Sequence, residues 1–368
     1  MKKFVLLLFS LLTILQIFAQ NDNETFYFSN LNLKDGLSQI SVIKILQDSK
    51  GFMWFATRNG LNRYDGSEFI VYKHVPGDSL TLSDNNIISL VEDKNRNLWV
   101  GTARGLNKLD LKTNHIKRYS DKKHGALAKV DIRSLFVDSR NRLWVGTSRG
   151  LYLYVREMDM FQRLDLNGKI KDEYISVIHE TKEHQILIGT ATKGLFVCDM
   201  NMKEQKHFTM DTPNLRLPDN YVGTLYEDLE GHIWGGSNAG GLFRIDIEKE
   251  NIITYHKGNS ILTTNSIRCI AESHDRLLIG TFDGLYSMNL SDNSFWKHTD
   301  ASLERGNLSH FSIYSLFVDS SQTIWVGTYA GGVSYSSRFN NRFDFHGLFY
   351  FVMKPGQSNI RKWFQTMD

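Results

Sequence analysis

The stretch Leu98-Trp99-Val100-Gly101-Thr102 decides the fold, because copies of it recur along most of the chain. Close copies run over 143–147 and 324–328, and looser copies begin at Met53, Ile186, Ile233 and Leu277. The Gly or Ala at the fourth position falls at 56, 101, 146, 189, 236, 280 and 327, so consecutive copies lie 43 to 47 residues apart. That spacing is typical of a four-stranded blade. Seven copies predict an all-β, seven-bladed β-propeller with four-stranded blades.

Each repeat divides into four predicted strands. The first is apolar and follows a polar loop, as at 87–91, and the second is the tryptophan-bearing stretch. A tight turn then leads to the third strand, and the fourth carries two apolar residues three apart, such as Ile116 and Tyr119. We expect the tight turns at Gly60, Gly105, Gly150, Gly194, Gly240, Gly284 and Gly331, and no helix within the propeller.

Five of the seven tryptophans occupy one position of the repeat, and leucine fills it in the other two copies. The tryptophans are Trp54, Trp99, Trp144, Trp234 and Trp325, and the leucines are Leu187 and Leu278. A side chain that stacks on a sugar need not recur in every blade, whereas a packing residue must. Period-two geometry places Trp99 and Gly101 on one face of the sheet, where the bare glycine leaves room for a neighbouring sheet. We therefore predict that these tryptophans form the core.

A propeller ring needs a strand to complete its last blade. The segment 25–31 precedes the first repeat and carries Phe28 and Leu31, spaced like the apolar pair of the other fourth strands. We predict that it closes blade seven by pairing with 332–337, because closure removes exposed sheet edges.

The N-terminus has the pattern of a signal peptide over residues 1–19. Lys2 and Lys3 precede an apolar run that ends near Ala19, and the run is short for a membrane-spanning anchor, the alternative interpretation. Because no cysteine follows at the expected cleavage site, we expect no lipid anchor, and no later apolar run is long enough to cross a bilayer.

Without Lys2 and Lys3, the chain has 41 basic and 40 acidic residues, and this near-neutral balance argues against nucleic-acid binding.

Three segments resemble the opening of the two-component regulator propeller family. They are 35–38 (Asp-Gly-Leu-Ser), 47–54 (Gln-Asp-Ser-Lys-Gly-Phe-Met-Trp) and 59–66 (Asn-Gly-Leu-Asn-Arg-Tyr-Asp-Gly). The resemblance implies a periplasmic sensor of hybrid two-component histidine kinases that detects carbohydrate fragments. It covers about residues 25–337, and we expect one propeller domain over 24–337 and an irregular tail over 338–368. Full-length members continue into a second propeller, a β-sandwich, a membrane helix and signalling domains. A truncated or split gene product is therefore our expectation, and signalling would then need a separately encoded partner or a homodimer.

Nothing in the sequence marks an active site. Glycoside hydrolysis would need two facing carboxylates, and the candidates near the channel are Asp131, Glu173 and Asp283, none with a distinguishing motif. The twelve histidines lack metal-ligand spacing, and we expect no metal, no cofactor and no kinase activity. Cys198 and Cys269 lie in different repeats, so we predict two buried free thiols.

Alternating strand direction places two sets of residues around one mouth of the central channel. The loops leading into the first strands contribute Ser41, Asn86, Asp131, Tyr174, Tyr221, Ser266 and Ser312. The turns between second and third strands contribute Arg58, Arg104, Arg149, Lys193, Asn238, Asp283 and Tyr329.

Tyrosines suit sugar rings and arginines suit carboxylate or sulfate groups. We therefore hypothesise an acidic or sulfated oligosaccharide bound near Arg58, Arg104, Arg149, Tyr174 and Tyr221, within the wider set Asn86, Asp131, Lys193, Asp283 and Tyr329. The alternatives are solvated surface charges and a propeller that serves as a scaffold for another protein.

Overall fold

A computed structural model describes residues 26–119, 127, 129–213, 215–298 and 306–337. Within these residues, 28 strands form seven four-stranded antiparallel sheets, which confirms the predicted seven-bladed propeller. One short 3-10 turn, Leu33–Asp35, is an exception to the prediction of no helix. The side chain of Asn32 caps this turn by accepting a hydrogen bond from the Lys34 backbone. The predicted signal peptide and the tail at 338–368 lie outside the described residues.

The strands follow chain order within the blades. Blades one to three contain β2 (Val42–Gln47), β3 (Met53–Thr57), β4 (Gly60–Tyr64), β5 (Phe69–Tyr72), β6 (Ile87–Glu92), β7 (Asn97–Thr102), β8 (Gly105–Asp110), β9 (Ile116–Tyr119), β10 (Ile132–Val137), β11 (Leu143–Thr147), β12 (Gly150–Val155) and β13 (Met160–Leu164). Blades four to six contain β14 (Ile175–Glu180), β15 (Ile186–Thr190), β16 (Leu195–Cys198), β17 (Glu204–Phe208), β18 (Val222–Glu227), β19 (Ile233–Ser237), β20 (Leu242–Asp246), β21 (Asn251–Tyr255), β22 (Ile267–Ser273), β23 (Arg276–Thr281), β24 (Gly284–Asn289) and β25 (Phe295–Lys297). Blade seven contains β26 (Ile313–Val318), β27 (Ile324–Thr328), β28 (Val333–Ser336) and β1 (Ser29–Leu31).

The N-terminal strand closes the ring as predicted. β1 pairs antiparallel with β28, with Ser29 opposite Tyr335 and Leu31 opposite Val333. Phe28 and Leu31 are buried, and the Phe28 backbone N–H donates to the Gly306 carbonyl at 2.8 Å. The closing strand therefore contributes both hydrogen bonds and apolar burial to blade seven.

The core lies between blades. Seven apolar clusters occur, one at each interface between neighbouring blades, and Trp99 of blade two packs with Ile132 and Val145 of blade three. A Cβ added at Gly101 would lie 2.2 Å from the Ser89 hydroxyl and 2.7 Å from Ile132. The glycine of the repeat thus makes room for its own first strand as well as for the next blade. All five repeated tryptophans are buried, which confirms their structural role.

An aspartate anchors each of these tryptophans, a contact that the sequence patterns did not reveal. Each indole Nε1 donates to the carboxylate six residues earlier at 2.8–2.9 Å, and the acceptors are Asp48, Asp93, Asp138, Asp228 and Asp319. Blade four, which carries leucine, has Thr181 at the aspartate position. Blade six, which also carries leucine, has Ser273 there, five residues before Leu278 because its turn is one residue shorter. The two positions change together because a buried indole N–H needs an acceptor and a leucine does not.

Carboxylates at the ends of first strands link neighbouring blades. The Ser49 backbone and hydroxyl both donate to Glu92 at 2.7 Å, and Ser139 makes the same pair of bonds to Glu180 at 2.6 Å. The Lys182 backbone donates to Glu227 at 2.9 Å. These charge-assisted bonds hold the turns of blades one, three and four against the following blade.

The predicted turns at Gly240 and Gly331 are present, and the positive φ falls on the next residues, Gly241 and Gly332, because these turns are one residue longer than those of blades one to three. One detail of the sequence interpretation was wrong. Both cysteines are free thiols, but only Cys198 is fully buried, whereas Cys269 is half-buried on the channel wall. No helix in the described part of the chain is long and apolar enough to span a membrane.

Candidate functional site at the channel mouth

The first strand of every blade lines a central channel of about 360 Å³. Each of these strands contains one β-bulge at the same place, after its first residue. The extra residue of a bulge is left out of the ladder, so its side chain is turned aside from the regular alternation. The seven bulged residues all line the channel: Ile43, Ile88, Arg133, Ser176, Gly223, Arg268 and Tyr314.

The bulge explains why sequence reasoning named other residues for the channel. The most buried apolar residues of the first strands lie three apart, as Ile87 and Leu90 do, rather than two or four apart. Such a spacing is incompatible with a regular strand that buries one face, and it indicates an inserted residue. Arg133 and Arg268 were therefore missed, although this signal was present in the sequence.

One group of residues, which we call the Arg133 cluster, joins blades three to five. It consists of Asp131, Arg133, Tyr174 and Tyr221. Arg133 forms an ion pair with Asp131, and its guanidinium carbon lies 5.1 Å from the centre of the Tyr174 ring. Burial raises the pKa of Tyr221, and the nearby Tyr174 raises it further. The Nε of Arg133 is buried and has no hydrogen-bond partner among the described residues.

A second group, the Arg268 cluster, lies across the mouth in blades six, seven and one. It consists of Arg268, Phe282, Tyr314, Tyr329 and Arg58. The Arg268 guanidinium carbon lies 4.6 Å from the Tyr314 ring centre and 4.9 Å from that of Phe282. Arg58 donates to the Tyr314 hydroxyl at 3.3 Å. Phe282 is 54% exposed and Tyr329 45%, so both aromatic faces are open to a ligand.

Arg268 is a cation with neutral partners. It donates to the Ser312 hydroxyl at 3.0 Å, and no ion pair with a carboxylate forms within the described ranges. Burial lowers its pKa, with opposing contributions from Tyr314 and Cys269. An anionic group placed at the mouth would find this positive charge uncompensated.

The remaining predicted basic residues contact other parts of the ring. Arg104 lies 3.6 Å from Asp84 on a loop between blades, and Lys193 donates to the Lys169 carbonyl. Arg149 is exposed, and its carbonyl accepts a hydrogen bond from Arg163. Of the four basic residues predicted at the turns, only Arg58 belongs to the Arg268 cluster. The structure thus brings Asp131, Tyr174 and Tyr221 together, and separately Arg58 and Tyr329.

The other predicted polar residues support loops. The Asn86 carbonyl accepts a hydrogen bond from the Ala103 backbone, which joins a leading loop to a turn. Glu173 is buried and accepts from the Thr192 backbone and hydroxyl, and Asp283 accepts from the Thr263 hydroxyl. Each candidate catalytic carboxylate is therefore engaged in a local contact. Among the described residues, no three His, Cys, Asp or Glu side chains are grouped as metal ligands.

Comparison with known proteins agrees with this architecture. The sequence model of the family described as "Two component regulator propeller" matches residues 36–59, 81–104 and 126–149. An 80-residue stretch is 48% identical to histidine kinase P4 of Formosa agariphila, and covers 22% of this chain and 6% of that protein. The chain therefore aligns with only a small part of that curated relative.

Solved structures give the same fold. The extracellular domain of a B. thetaiotaomicron protein assigned as the hybrid two component system BT3049 superposes with a TM-score of 0.72 at 27% identity. That superposition covers 85% of this chain and 42% of the other. Virginiamycin B lyase from Staphylococcus aureus superposes with a TM-score of 0.66 at 12% identity over 85% of this chain and 99% of its own, a likeness of fold alone. The matched repeats and the shared architecture confirm the resemblance: three repeats of this chain match the model of the two-component regulator propeller family.

Proposed function

We propose that this propeller is an exported, non-catalytic sensor of a two-component signalling system, and that it binds an acidic oligosaccharide over the channel mouth. Two similarities support the first part: one to the extracellular domain of a two component system, and one to a histidine kinase. The signal-peptide pattern at residues 1–19 agrees with export.

The observation that carries the ligand proposal is Arg268, held between the rings of Tyr314 and Phe282 without a carboxylate partner in the described part of the chain. Aromatic faces pack against the apolar faces of sugar rings, and a guanidinium fork binds carboxylate or sulfate in a bidentate way. The Arg133 cluster offers the same chemistry on the opposite side of the mouth. A chain of several sugar units would span both clusters.

In this proposal the propeller only binds the ligand, and other parts of the two-component system produce the response. We propose that the propeller passes the signal to a partner protein or to a second copy of itself. Because Asp131, Glu173 and Asp283 are each engaged in local contacts, the mouth favours binding over hydrolysis.

Calorimetric titration with matched neutral and acidic oligosaccharides tests the proposal. We expect the acidic compounds to bind, and Arg268→Gln to weaken their binding about tenfold, the effect of one lost charge-assisted hydrogen bond of about 1.5 kcal/mol or more. Arg140→Gln is the matched control, since Arg140 is an exposed arginine in the turn between β10 and β11, at the end of these strands away from the mouth. Binding of neutral sugars alone, or equal binding by the parent and Arg268→Gln, would refute the charge argument. If no oligosaccharide raises the melting temperature, a protein-binding scaffold is the better interpretation.

A further inference from the structure

Lys44 breaks the sevenfold repeat inside the ring. Its position, the third residue of each first strand, faces the Gly or Ala of the repeated stretch in the paired second strand. The six equivalent residues are small or medium-sized and uncharged: Ser89, Ser134, Val177, Thr224, Cys269 and Ser315. Only blade one places a charged side chain on this part of the channel wall.

The equivalent serines form hydrogen bonds between blades that Lys44 does not form. Ser89 donates to the Ile132 carbonyl of the next blade at 3.1 Å, and Ser315 donates to the Val42 carbonyl of blade one at 3.1 Å. Lys44 makes no hydrogen bond or ion pair with any described residue. A lysine at this position therefore replaces a link between blades with a charge directed to the channel.

The surroundings of Lys44 do not neutralise that charge. Arg133 and Arg268 line the same channel, and no carboxylate is among the described lining residues. The Lys44 side chain is exposed to the open channel, and desolvation by the surrounding ring lowers its pKa, an effect that the nearby Cys269 opposes. Burial raises the pKa of the Cys269 thiol to about 12, so at neutral pH the thiol carries no charge that could balance the lysine.

We propose that the channel holds a small oxyanion, of the sulfate or carboxylate type, between Lys44 and Arg268. The ammonium supplies a point charge with three donors, and the guanidinium supplies a planar fork. A channel of about 360 Å³ has room for such a group with some of its water. The oxyanion has two sources: a free inorganic ion, or the acidic group of an oligosaccharide bound at the mouth. Only the second source rests on the proposed function.

Nuclear magnetic resonance of lysine labelled with carbon-13 tests the site directly. We titrate the purified chain with sodium sulfate at constant ionic strength and follow the signal that disappears in Lys44→Met. We expect that signal to shift in a saturable way, with at least about tenfold weaker sulfate binding in Lys44→Met than in the parent. Lys112→Met is the matched control, because Lys112 is exposed and distant in the repeat from the channel wall. A Lys44 signal that does not move, or unchanged sulfate binding in Lys44→Met, would overturn the proposal.

Two further experiments show whether the oxyanion is a free ion or the acidic group of an oligosaccharide. Sulfate stabilises most proteins through exclusion from their surface, so the difference in melting temperature between the parent and Lys44→Met is the informative quantity. Acidic oligosaccharides are then titrated into both proteins. If sulfate binds at Lys44 and no oligosaccharide binds, the anion site stands and the proposed function fails. If acidic oligosaccharides bind equally to the parent and Lys44→Met, and sulfate moves no signal, the proposed function stands and the anion site fails.

Discussion

The packing between blades repeats around the ring, whereas the channel mouth differs from blade to blade. Trp99 and Asp93 have direct counterparts in four other blades, with the same hydrogen bond at 2.8–2.9 Å. By contrast, the bulged position that faces the channel holds Ile, Ile, Arg, Ser, Gly, Arg and Tyr in turn. A contact that recurs in each repeat stabilises the ring, and a position that varies among repeats is free to recognise a ligand. Repeated positions therefore stabilise the ring, and variable positions are available for ligand binding.

The largest expected effect comes from opening the ring. Deletion of residues 21–34 removes β1 and the buried side chains of Phe28 and Leu31. Burial of two such side chains contributes about 3–6 kcal/mol, and each kcal/mol shifts the melting temperature of a domain of this size by about 2 °C or more. We expect a fall of about 6 °C or more, measured by calorimetry. Deletion of 340–368, where the sequence does not continue the repeat, is the control with little expected change. A variant without 21–34 that melts within about 2 °C of the parent would contradict the closure model.

Truncation of a repeated tryptophan should cost nearly as much. Trp99→Ala leaves a cavity between blades two and three and removes the donor to the buried Asp93 carboxylate. Loss of a buried large aromatic side chain destabilises by about 3–5 kcal/mol. Urea unfolding of Trp99→Ala measures this loss, and Trp296→Ala, a tryptophan outside the repeated position, is the comparison. Equal losses in the two variants would show that the repeated position is not special.

The repeated layer could be predicted from sequence because its physical requirements recur. Seven copies of one pattern predict the blade number, the strands and the closing segment. The mouth could be placed only in part, since a β-bulge of one extra residue puts Arg133 on the channel wall, a placement that regular alternation does not predict. Which residues meet across the mouth depends on contacts between different blades, such as Arg58 with Tyr314, and no local pattern encodes these.

Blade four can test whether the aspartate and the tryptophan depend on each other, because it carries threonine and leucine at these two positions. Leu187→Trp alone should destabilise by about 1–3 kcal/mol, because the side chain is larger and its N–H lacks an acceptor in a fully buried place. Thr181→Asp alone buries a carboxylate without the indole donor. We expect the double variant to be at least about 1 kcal/mol more stable than the sum of the single effects. Additive effects in a chemical-denaturation cycle would show that the two positions are independent.

Asp93→Asn should change the pH dependence of stability. Burial raises the pKa of Asp93, but hydrogen bonds from Trp99 and Asn97 outweigh it and lower the pKa overall. A group whose pKa is lower in the folded state stabilises the fold above its unfolded pKa, and this contribution is lost as the pH falls through the folded pKa. We expect the parent to exceed Asp93→Asn by about 1–2 kcal/mol at pH 7, the value of a hydrogen bond to a charged group. The gap should narrow as the pH is lowered below about 4. A constant gap in urea unfolding from pH 7 to pH 3 would show that the Asp93 charge does not contribute.

Two arginines of blade three test the difference between the mouth and the repeated layer most directly. The smallest change in stability is expected for Arg133. Arg133 belongs to the mouth, and its ion pair with Asp131 is partly exposed, a setting in which such pairs contribute about 0–1 kcal/mol. Arg142 belongs to the repeated layer, where it bonds Asp138 at 2.6 Å and lies 5.0 Å from the Trp144 ring centre. We expect Arg133→Gln to unfold within about 0.5 kcal/mol of the parent while binding acidic oligosaccharides more weakly.

Arg142→Gln should show the opposite pattern, with a measurable loss of stability and unchanged binding, because its guanidinium bonds a fully buried carboxylate on the face away from the mouth. Calorimetric titration and urea unfolding of the two variants provide both quantities from the same preparations. If both variants lose stability and affinity together, packing and recognition share residues, and the division between repeated and variable positions does not hold for this propeller. If Arg133→Gln alone loses affinity and Arg142→Gln alone loses stability, the variable bulge position is where this ring meets its ligand, since the two arginines lie on opposite ends of the same pair of strands.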